Sequence, residues 1–139
     1  MGTRSTIAIE FADNSVSQVY CHWDGYLDNN GEILNKEYMD PFKVRELVDL
    51  GDFSSLRDTV EETAEGAYAE RGEDCSARRY MDVTEYFAEC QQEEYDYILR
   101  QVEGTPVWFV RCYATHGLWV TLGEARMNET KMNEAEGAY

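Results

Sequence analysis

Residues 95–113 read YDYILRQVEGTPVWFVRCY. Two runs rich in aromatic and β-branched residues, Tyr95–Val102 and Thr105–Tyr113, flank the dipeptide Glu103-Gly104. Such a dipeptide is typical of a two-residue hairpin turn, because glycine adopts the left-handed backbone that the turn requires. Pro106 fits only the beginning of a strand or a sheet edge, since proline lacks the backbone donor. The stretch therefore predicts a β-hairpin.

The first 23 residues predict a second hairpin. Large apolar side chains alternate with small or polar ones over Ile7–Phe11, turn-forming residues follow at 13–15, and Val16–Trp23 supplies the return strand. Residues 118–122 alternate in the same way and predict one further strand. The chain is therefore expected to form a sheet from both of its ends.

The helical signals lie between the two hairpins. Asp40 followed by Pro41 is typical of a helix start, and Gly51 marks the expected end of that helix. Residues 32–38 predict a shorter helix or a helical turn. Residues 54–70 predict another, with Ser54 or Ser55 as its cap.

The remaining segments complete the predicted organisation. We interpret residues 71–80 as a loop, residues 81–92 as either helix or strand, and residues 127–139 as a flexible acidic tail. The sequence thus predicts an α+β fold in one domain, residues 1–126. We expect an antiparallel sheet of about five strands with two or three helices.

Acidic residues dominate the charge of the chain. It carries 28 Asp and Glu against 12 Lys and Arg, a net charge of −16, and residues 61–96 alone contribute −9. A field of this sign repels DNA, RNA and anionic membranes and attracts proteins with basic sites. We therefore expect no direct binding of nucleic acid and no membrane binding. The 43 % of hydrophobic residues predict a folded chain, because disordered acidic segments lack aromatic residues.

Cysteine use and the N-terminus indicate a cytoplasmic protein. No signal peptide is recognisable, and no apolar run approaches the roughly 20 residues that span a bilayer. The cysteines are too far apart in sequence for a zinc knuckle or a redox motif, so reduced thiols are expected. They are Cys21, Cys75, Cys90 and Cys112.

The densest chemical run is VYCHWDGYL, residues 19–27. Cys21 and His22 are a nucleophile and a base, but neighbours on a strand point to opposite faces. His116 is the alternative partner for a thiol. The carboxylate-rich loop at 24–32 lacks the ligand spacing of an EF-hand. We therefore expect no catalytic residue, no metal and no cofactor. The run stays open as an alternative ligand site formed by Cys21, His22, Trp23, Asp24 and Tyr26.

The acidic middle of the chain is the predicted partner-binding surface. An acidic run is ordinarily just a solvated face, but this one is dense and lies within a folded, aromatic-rich chain. Carboxylates near phosphate-like spacing can mimic DNA in a basic groove, with affinity that falls as salt rises. The predicted partner-binding residues are Glu61, Glu62, Glu65, Glu70, Glu73, Asp74, Glu85, Glu89, Glu93 and Glu94.

Several motifs give the chain a family resemblance. It opens with MGTRSTI, and VYCHWDGYL is followed by Asn29-Asn30-Gly31; the Asp40-Pro41 helix start and the sequence RGED at 71–74 come later. Over most of residues 1–113 the chain resembles a family of small proteins common in bacteriophage and prophage genomes. The resemblance implies no catalytic residues. It implies an accessory protein that acts on the machinery of a bacterial host.

Three functions follow as hypotheses. The leading one is a phage-encoded protein that binds and inhibits a basic host protein such as a nuclease, a polymerase, or a restriction or CRISPR component. It does so as a DNA mimic in the host cytoplasm. The second is a small enzyme or ligand-binding protein that uses the run at 21–26. The third is a self-associating structural module, for example a homodimer paired through strand edges.

Overall fold

A six-stranded sheet forms the centre of the molecule in the computed structural model, which describes residues 2–72 and 75–137. The spatial order of the strands is β3-β2-β1-β4-β5-β6. Their bounds are β1 Ser5–Glu10, β2 Val16–Cys21, β3 Arg78–Tyr80, β4 Tyr95–Val102, β5 Thr105–Arg111 and β6 Val120–Thr121. The predicted α+β class is confirmed, with six strands in place of about five.

Both predicted hairpins are present. Strands β1 and β2 pair antiparallel around a turn in which the backbone N–H of Ser15 donates to the Asp13 carboxylate at 2.9 Å. Strands β4 and β5 pair antiparallel around Glu103 and Gly104, whose φ angles are 52° and 82°. Positive φ at both central residues is the geometry of a type I′ turn, which matches the twist of paired strands.

The two hairpins join through a parallel pair, which departs from the expected all-antiparallel sheet. Strand β1 lies parallel to β4, with Ser5 opposite Tyr95 and Ile9 opposite Leu99. Parallel neighbours need a crossover connection, and the whole helical middle of the chain supplies it here. That connection places the middle segments over the faces of the sheet.

The structure contains five α-helices within the described ranges. They are α1 Glu32–Glu37, α2 Pro41–Asp49, α3 Val60–Ala64, α4 Val83–Glu89 and α5 Leu122–Gly137. Helix α2 begins and ends where the sequence predicts: the Asp40 side chain accepts a hydrogen bond from Phe42 N, and Gly51 has a φ of +76°. No helix of the described residues combines the length and the apolar character needed to cross a membrane.

The helix predicted over residues 54–70 is wrong in most of its length. Only α3 is α-helical there, and its cap is Thr59, which accepts from Glu62 N at 3.1 Å. Ser54 instead donates its backbone N–H to Gly66 O at 2.9 Å. The physical reason is Phe53, which is fully buried and bridges to Cys21 at the end of β2. Burying that ring holds the adjacent backbone extended.

Two other segments differ from their predictions, and a third, predicted as either helix or strand, is helical. The loop expected at 71–80 contains β3, which pairs with Val16–Gln18 of β2. The ambiguous segment 81–92 contains helix α4, whose cap Asp82 accepts from Glu85 N at 2.9 Å. The strand expected at 118–122 is reduced to the two residues of β6.

Residues 127–137, expected to belong to a flexible tail, continue the helix α5. The helix begins at Leu122, and that side chain and Ala125 are buried in the core. One turn further, Asn128 Nδ2 donates to Ala114 O at 3.5 Å, and Met132 packs against the core cluster. These contacts lie on one side of the helix and hold it against the domain.

The sheet has helices on both faces, because its side chains alternate. Residues such as Ile7, Val19 and Tyr97 point into the larger core, which also contains Leu47 of α2. On the opposite face, Ala8, Val16 and Ile98 pack with Tyr86 of α4. Helices α1, α2 and α3 are therefore separated from α4 by the sheet.

Candidate functional site

The end of β2 buries Cys21 rather than presenting it. Its side chain is fully buried, its Sγ donates to Trp23 O at 3.5 Å, and it accepts from Asn30 Nδ2 at 3.4 Å. Burial raises the pKa of the Cys21 thiol to about 11. At neutral pH this group is a protonated packing residue and not an activated nucleophile.

His22 has a different partner from the adjacent thiol. Its Nδ1 lies 2.7 Å from the hydroxyl of Tyr20, and its ring packs edge-on against Trp23 with the centroids 4.7 Å apart. The alternation of the strand places Cys21 inside and His22 at the surface. The two residues therefore do not form a catalytic pair.

The other candidate pairing, of His116 with a thiol, is also not made in the described part of the chain. Cys112 is buried, and its side chain accepts from the backbone N–H of Thr115 at the start of a 3₁₀ turn. His116 ends that turn, exposed, with a φ of 54°. Burial raises the pKa of the Cys112 thiol, so it too is protonated at neutral pH.

A close backbone approach at Gly25 turns the chain away from the sheet after β2. The Tyr97 hydroxyl donates to Gly25 O at 2.6 Å, and Gly25 N donates to Thr3 O at 2.8 Å. A Cβ at Gly25 would lie 2.7 Å from the Ser5 Cβ, so no larger residue fits. This turn leaves Asp24 exposed at the surface.

A π-helical turn, Leu27–Gly31, follows and places Asn30 beneath the surface. Asn30 is fully buried, and its Nδ2 donates to Ser5 Oγ at 3.2 Å and to Trp23 O at 3.4 Å. Its Oδ1 has no hydrogen-bond partner within the described residues. Single π-helical turns are frequent at functional sites, where they redirect a side chain.

Three adjoining cavities form one groove between this turn, helix α1 and the segment 54–66. The central cavity has a volume of about 270 Å³, and it shares lining residues with one cavity on each side. We call this surface the acidic groove. Its carboxylates are Asp24, Asp28, Glu32, Glu37, Asp58, Glu62 and Glu65, and its basic residues are Lys36 and Arg57.

Few of these carboxylates are neutralised by neighbours. Arg126 of α5 approaches Asp28 at 3.8 Å and Glu32 at 3.7 Å, both long for an ion pair between exposed groups. Lys43 donates to two backbone carbonyls, those of Glu37 and Asp58, rather than to a carboxylate. The acidic groove therefore keeps an excess of negative charge.

The structure brings the two sequence-predicted sites together at one point. Asp24, from the run at 21–26, and Glu62, from the acidic run, line the same cavity. Glu65 lines the neighbouring cavity, and Glu61 is exposed on the same short helix as Glu62. This juxtaposition has no signal in the sequence, because Asp24 and Glu62 lie 38 positions apart.

Other members of the acidic run lie elsewhere. Glu85 and Glu89 belong to α4, on the opposite face of the sheet, and Glu93 and Glu94 precede β4. Glu70 falls in the 3₁₀ turn Tyr68–Arg71. The predicted partner-binding residues Glu73 and Asp74 lie outside the described residues.

Several of these acids hold local structure. Glu85 accepts from Met81 N at 2.7 Å, Glu94 accepts from Arg4 N at 3.2 Å, and Glu93 accepts from the Gln91 side chain at 3.1 Å. Glu89 and Glu61 are exposed and make no side-chain hydrogen bond with described residues. The side chains of the acids at 85, 93 and 94 thus each accept a hydrogen bond within the domain.

Five acceptor residues of the acidic groove are not among the sequence-predicted site residues: Asp28, Asn30, Glu32, Glu37 and Asp58. Three of them lie in the carboxylate-rich loop at 24–32, which lacks the ligand spacing of an EF-hand. Among the described residues no three carboxylate, imidazole or thiol groups converge closely enough to hold a metal ion. The loop contributes instead to a wider, open surface.

Comparison with known proteins gives no assignment: no family model, no curated protein and no solved structure matches the chain.

Proposed function

We propose that this chain is an acidic accessory protein that binds a basic, nucleic-acid-handling protein through the acidic groove. The single observation that carries the proposal is the groove itself, which is lined by seven carboxylates and only two basic side chains. A concave surface of one charge sign concentrates its field and speeds the encounter with a partner of opposite sign.

Exposed aromatic side chains close to Asp24 in the sequence support a protein partner. Trp23 is 42 % exposed and Tyr26 is 39 % exposed, and both flank Asp24 in the chain. Trp and Tyr carry a large share of the binding energy at protein interfaces, whereas binding to a cation or a small polar ligand does not require them. A basic partner that engages the groove would also cover these rings.

Binding of this kind inhibits a partner that uses the same basic site for DNA or RNA. The carboxylates of the groove then occupy the positions of phosphates, as in a DNA mimic. The resemblance to bacteriophage and prophage proteins supports a bacterial host target, such as a nuclease, a polymerase, or a restriction or CRISPR component, in the cytoplasm of the infected cell.

The test is capture of partners from bacterial lysate with the full chain as bait, at low and at high salt, read by mass spectrometry. Three baits are compared: the wild type, the groove variant D58N/E62Q, and the control variant E46Q/E103Q. The control removes the same two charges from exposed carboxylates that do not line the groove. Duplex DNA is added in a parallel experiment as a competitor.

We expect a dominant basic partner that is retained by the wild type and the control, lost from the groove variant, and displaced by salt and by DNA. Equal capture by all three baits would show that the groove is not the binding surface. Capture that resists DNA would contradict the inhibition of a nucleic-acid site.

A further inference from the structure

The central cavity of the acidic groove is lined by hydrogen-bond acceptors from three separate elements. Asp24 comes from the turn after β2, Asn30 from the π-helical turn, and Asp58 and Glu62 from the segment around α3. Carboxylates accept hydrogen bonds and do not donate them when ionised. The cavity is thus suited to a ligand that brings donors and positive charge.

Asn30 adds a buried acceptor without a partner to this set. Its amide orientation is determined by Trp23 O, a carbonyl that can only accept and therefore requires the Nδ2 group beside it. Ser5 Oγ and Cys21 Sγ also contact Nδ2. The Oδ1 of this fully buried residue is left without a partner in the described part of the chain. A buried acceptor without a donor is costly, so a ligand that supplies one is favoured.

The spacing of the acceptors favours an extended donor group over a single ion. The described carboxylates do not converge in threes as ligands of one metal ion must. A guanidinium group presents five N–H donors in a planar fork and is more weakly hydrated than an ammonium group. It can therefore reach separated acceptors at once, including a carboxylate in bidentate geometry.

We propose that the central cavity is a receptor for an arginine side chain of the basic partner. Asp24 and Glu62 pair with the guanidinium, and Asn30 Oδ1 accepts one of its N–H donors. This inference rests on the proposed function, because the arginine belongs to the protein that the acidic groove binds. It adds the residue type that the site selects.

Substitution of Arg57 should change arginine affinity in the direction opposite to substitution of the carboxylates. Arg57 lines the same cavity, its side chain is exposed, and it makes no ion pair with a described carboxylate. The positive charge of the Arg57 guanidinium repels the guanidinium of an incoming arginine. Removing it with Arg57→Gln therefore strengthens arginine binding, whereas removing carboxylates weakens it.

The experiment titrates the isotope-labelled full chain with Nα-acetyl-arginine-N-methylamide and, separately, with the matching lysine compound, followed by NMR. The Asn30 side-chain amide and the backbone signals of Asp24 and Glu62 are the reporters. The variants are D24N/E62Q, Arg57→Gln and the control E46Q/E103Q. Asparagine suits position 24, where φ is +59°, since it tolerates the left-handed region.

We expect saturable shifts at these reporters with the arginine compound and binding at least several-fold weaker with the lysine compound. D24N/E62Q should weaken arginine binding about tenfold by loss of charge-assisted hydrogen bonds. Arg57→Gln should tighten it several-fold, and the control should bind as the wild type does. Unmoved reporters, or equal response to both compounds, would overturn the proposal. An unfolded D24N/E62Q, recognised from its spectrum, leaves the decision to Arg57→Gln.

The two proposals fail in different ways. If partner capture depends on the groove but the arginine compound does not bind the cavity, the arginine receptor is overturned and the proposed function stands. If the arginine compound binds the cavity but partner capture is the same with D58N/E62Q as with the wild type, the cavity does bind an arginine side chain. In that case the proposed binding of a basic partner through the acidic groove is overturned.

Discussion

Cys21, in the run at 19–27, could be a catalytic nucleophile or a packing residue, and its buried, protonated thiol favours packing. A catalytic cysteine needs an accessible thiolate, and Cys21 has neither access nor a lowered pKa. Its contacts with Asn30 and Trp23 instead orient the floor of the acidic groove. The residue that looks most reactive in the sequence therefore acts through packing.

This gives a prediction on thiol chemistry. At pH 8 a thiol with a pKa of about 11 is ionised in about one molecule in a thousand, so Cys21 should resist iodoacetamide in the folded chain. In urea the pKa returns to its ordinary value and the thiol becomes accessible, so alkylation should be complete. Peptide mapping by mass spectrometry, with and without urea, measures the difference. Rapid alkylation of Cys21 without urea would contradict the burial.

Two glycine substitutions should have opposite effects on stability. Gly25→Ala places a Cβ 2.7 Å from the Ser5 Cβ, and overpacking of this kind costs about 1–3 kcal/mol. Gly123→Ala meets no atom within 4 Å and lies in helix α5, where alanine is favoured over glycine by up to about 1 kcal/mol. Urea unfolding of both variants provides the comparison, and the second serves as the control for the first.

At the scale of elements, Gln18 joins four parts of the structure on the face that carries α4. It is fully buried, donates to Thr6 Oγ1 and Gln91 O, both at 2.9 Å, and accepts from the Tyr80 hydroxyl at 2.9 Å and from Gln91 N at 3.2 Å. Its Thr6 partner in turn donates to buried Asp96 at 2.7 Å. This network secures β3 and the segment after α4 to the central strands.

Breaking the network should therefore be costly. Gln18→Leu keeps the volume but leaves four groups without their partner, and we expect a loss of about 3 kcal/mol or more in the free energy of unfolding. Gln101→Leu, an exposed position on β4, is the control and should change stability by less than about 0.5 kcal/mol. Chemical denaturation measures both, and similar losses would show that the network is not the cause.

Helix α5 gives a prediction that separates a docked helix from a tail. Leu122 is 4 % exposed and Met127 is 61 % exposed. Leu122→Ala should destabilise the chain by about 2–5 kcal/mol, whereas Met127→Ala should leave the unfolding midpoint nearly unchanged. A small effect of Leu122→Ala would contradict the docking of the helix.

The elements that the sequence predicts are those with local signals. Residues adjacent in the sequence determine the turn at Glu103-Gly104 and the start of α2 at Asp40, and both are present. The parallel pairing of β1 with β4 joins residues 90 positions apart, so no local sequence pattern predicts it. Strand β3 is too short to show alternation.

The candidate site follows the same rule. Asp24 and Glu62 were each singled out from the sequence, but for different sites. Their meeting in one cavity depends on how the segment around Phe53 is held beside the end of β2. The sequence places Asn30 in a turn-rich loop and indicates nothing more about it. The burial of its Oδ1 without a hydrogen-bond partner follows from the tertiary structure.

At the scale of the whole molecule, the net charge of −16 works against folding. Like charges on a small surface repel, and the compact state brings them closer than the unfolded chain does. Salt screens this repulsion: the Debye length falls from about 30 Å at 0.01 M to about 3 Å at 1 M. Salt should therefore stabilise the folded chain, although it weakens attraction to a basic partner.

Fold stability and partner affinity should therefore change in opposite directions as the salt concentration rises. From about 0.01 M to about 1 M NaCl we expect the melting temperature to rise by about 3–5 °C, equivalent to about 1 kcal/mol for a chain of this size. Over the same range the affinity for the basic partner should fall steadily, since that attraction is electrostatic. Thermal unfolding and binding are measured in the same buffers, with sucrose as the control that stabilises by exclusion without screening charge. Because the chain is better folded at high salt, loss of binding there cannot come from unfolding. A partner retained at high salt would mean that contacts of Trp23 and Tyr26, rather than the carboxylates, hold the complex together.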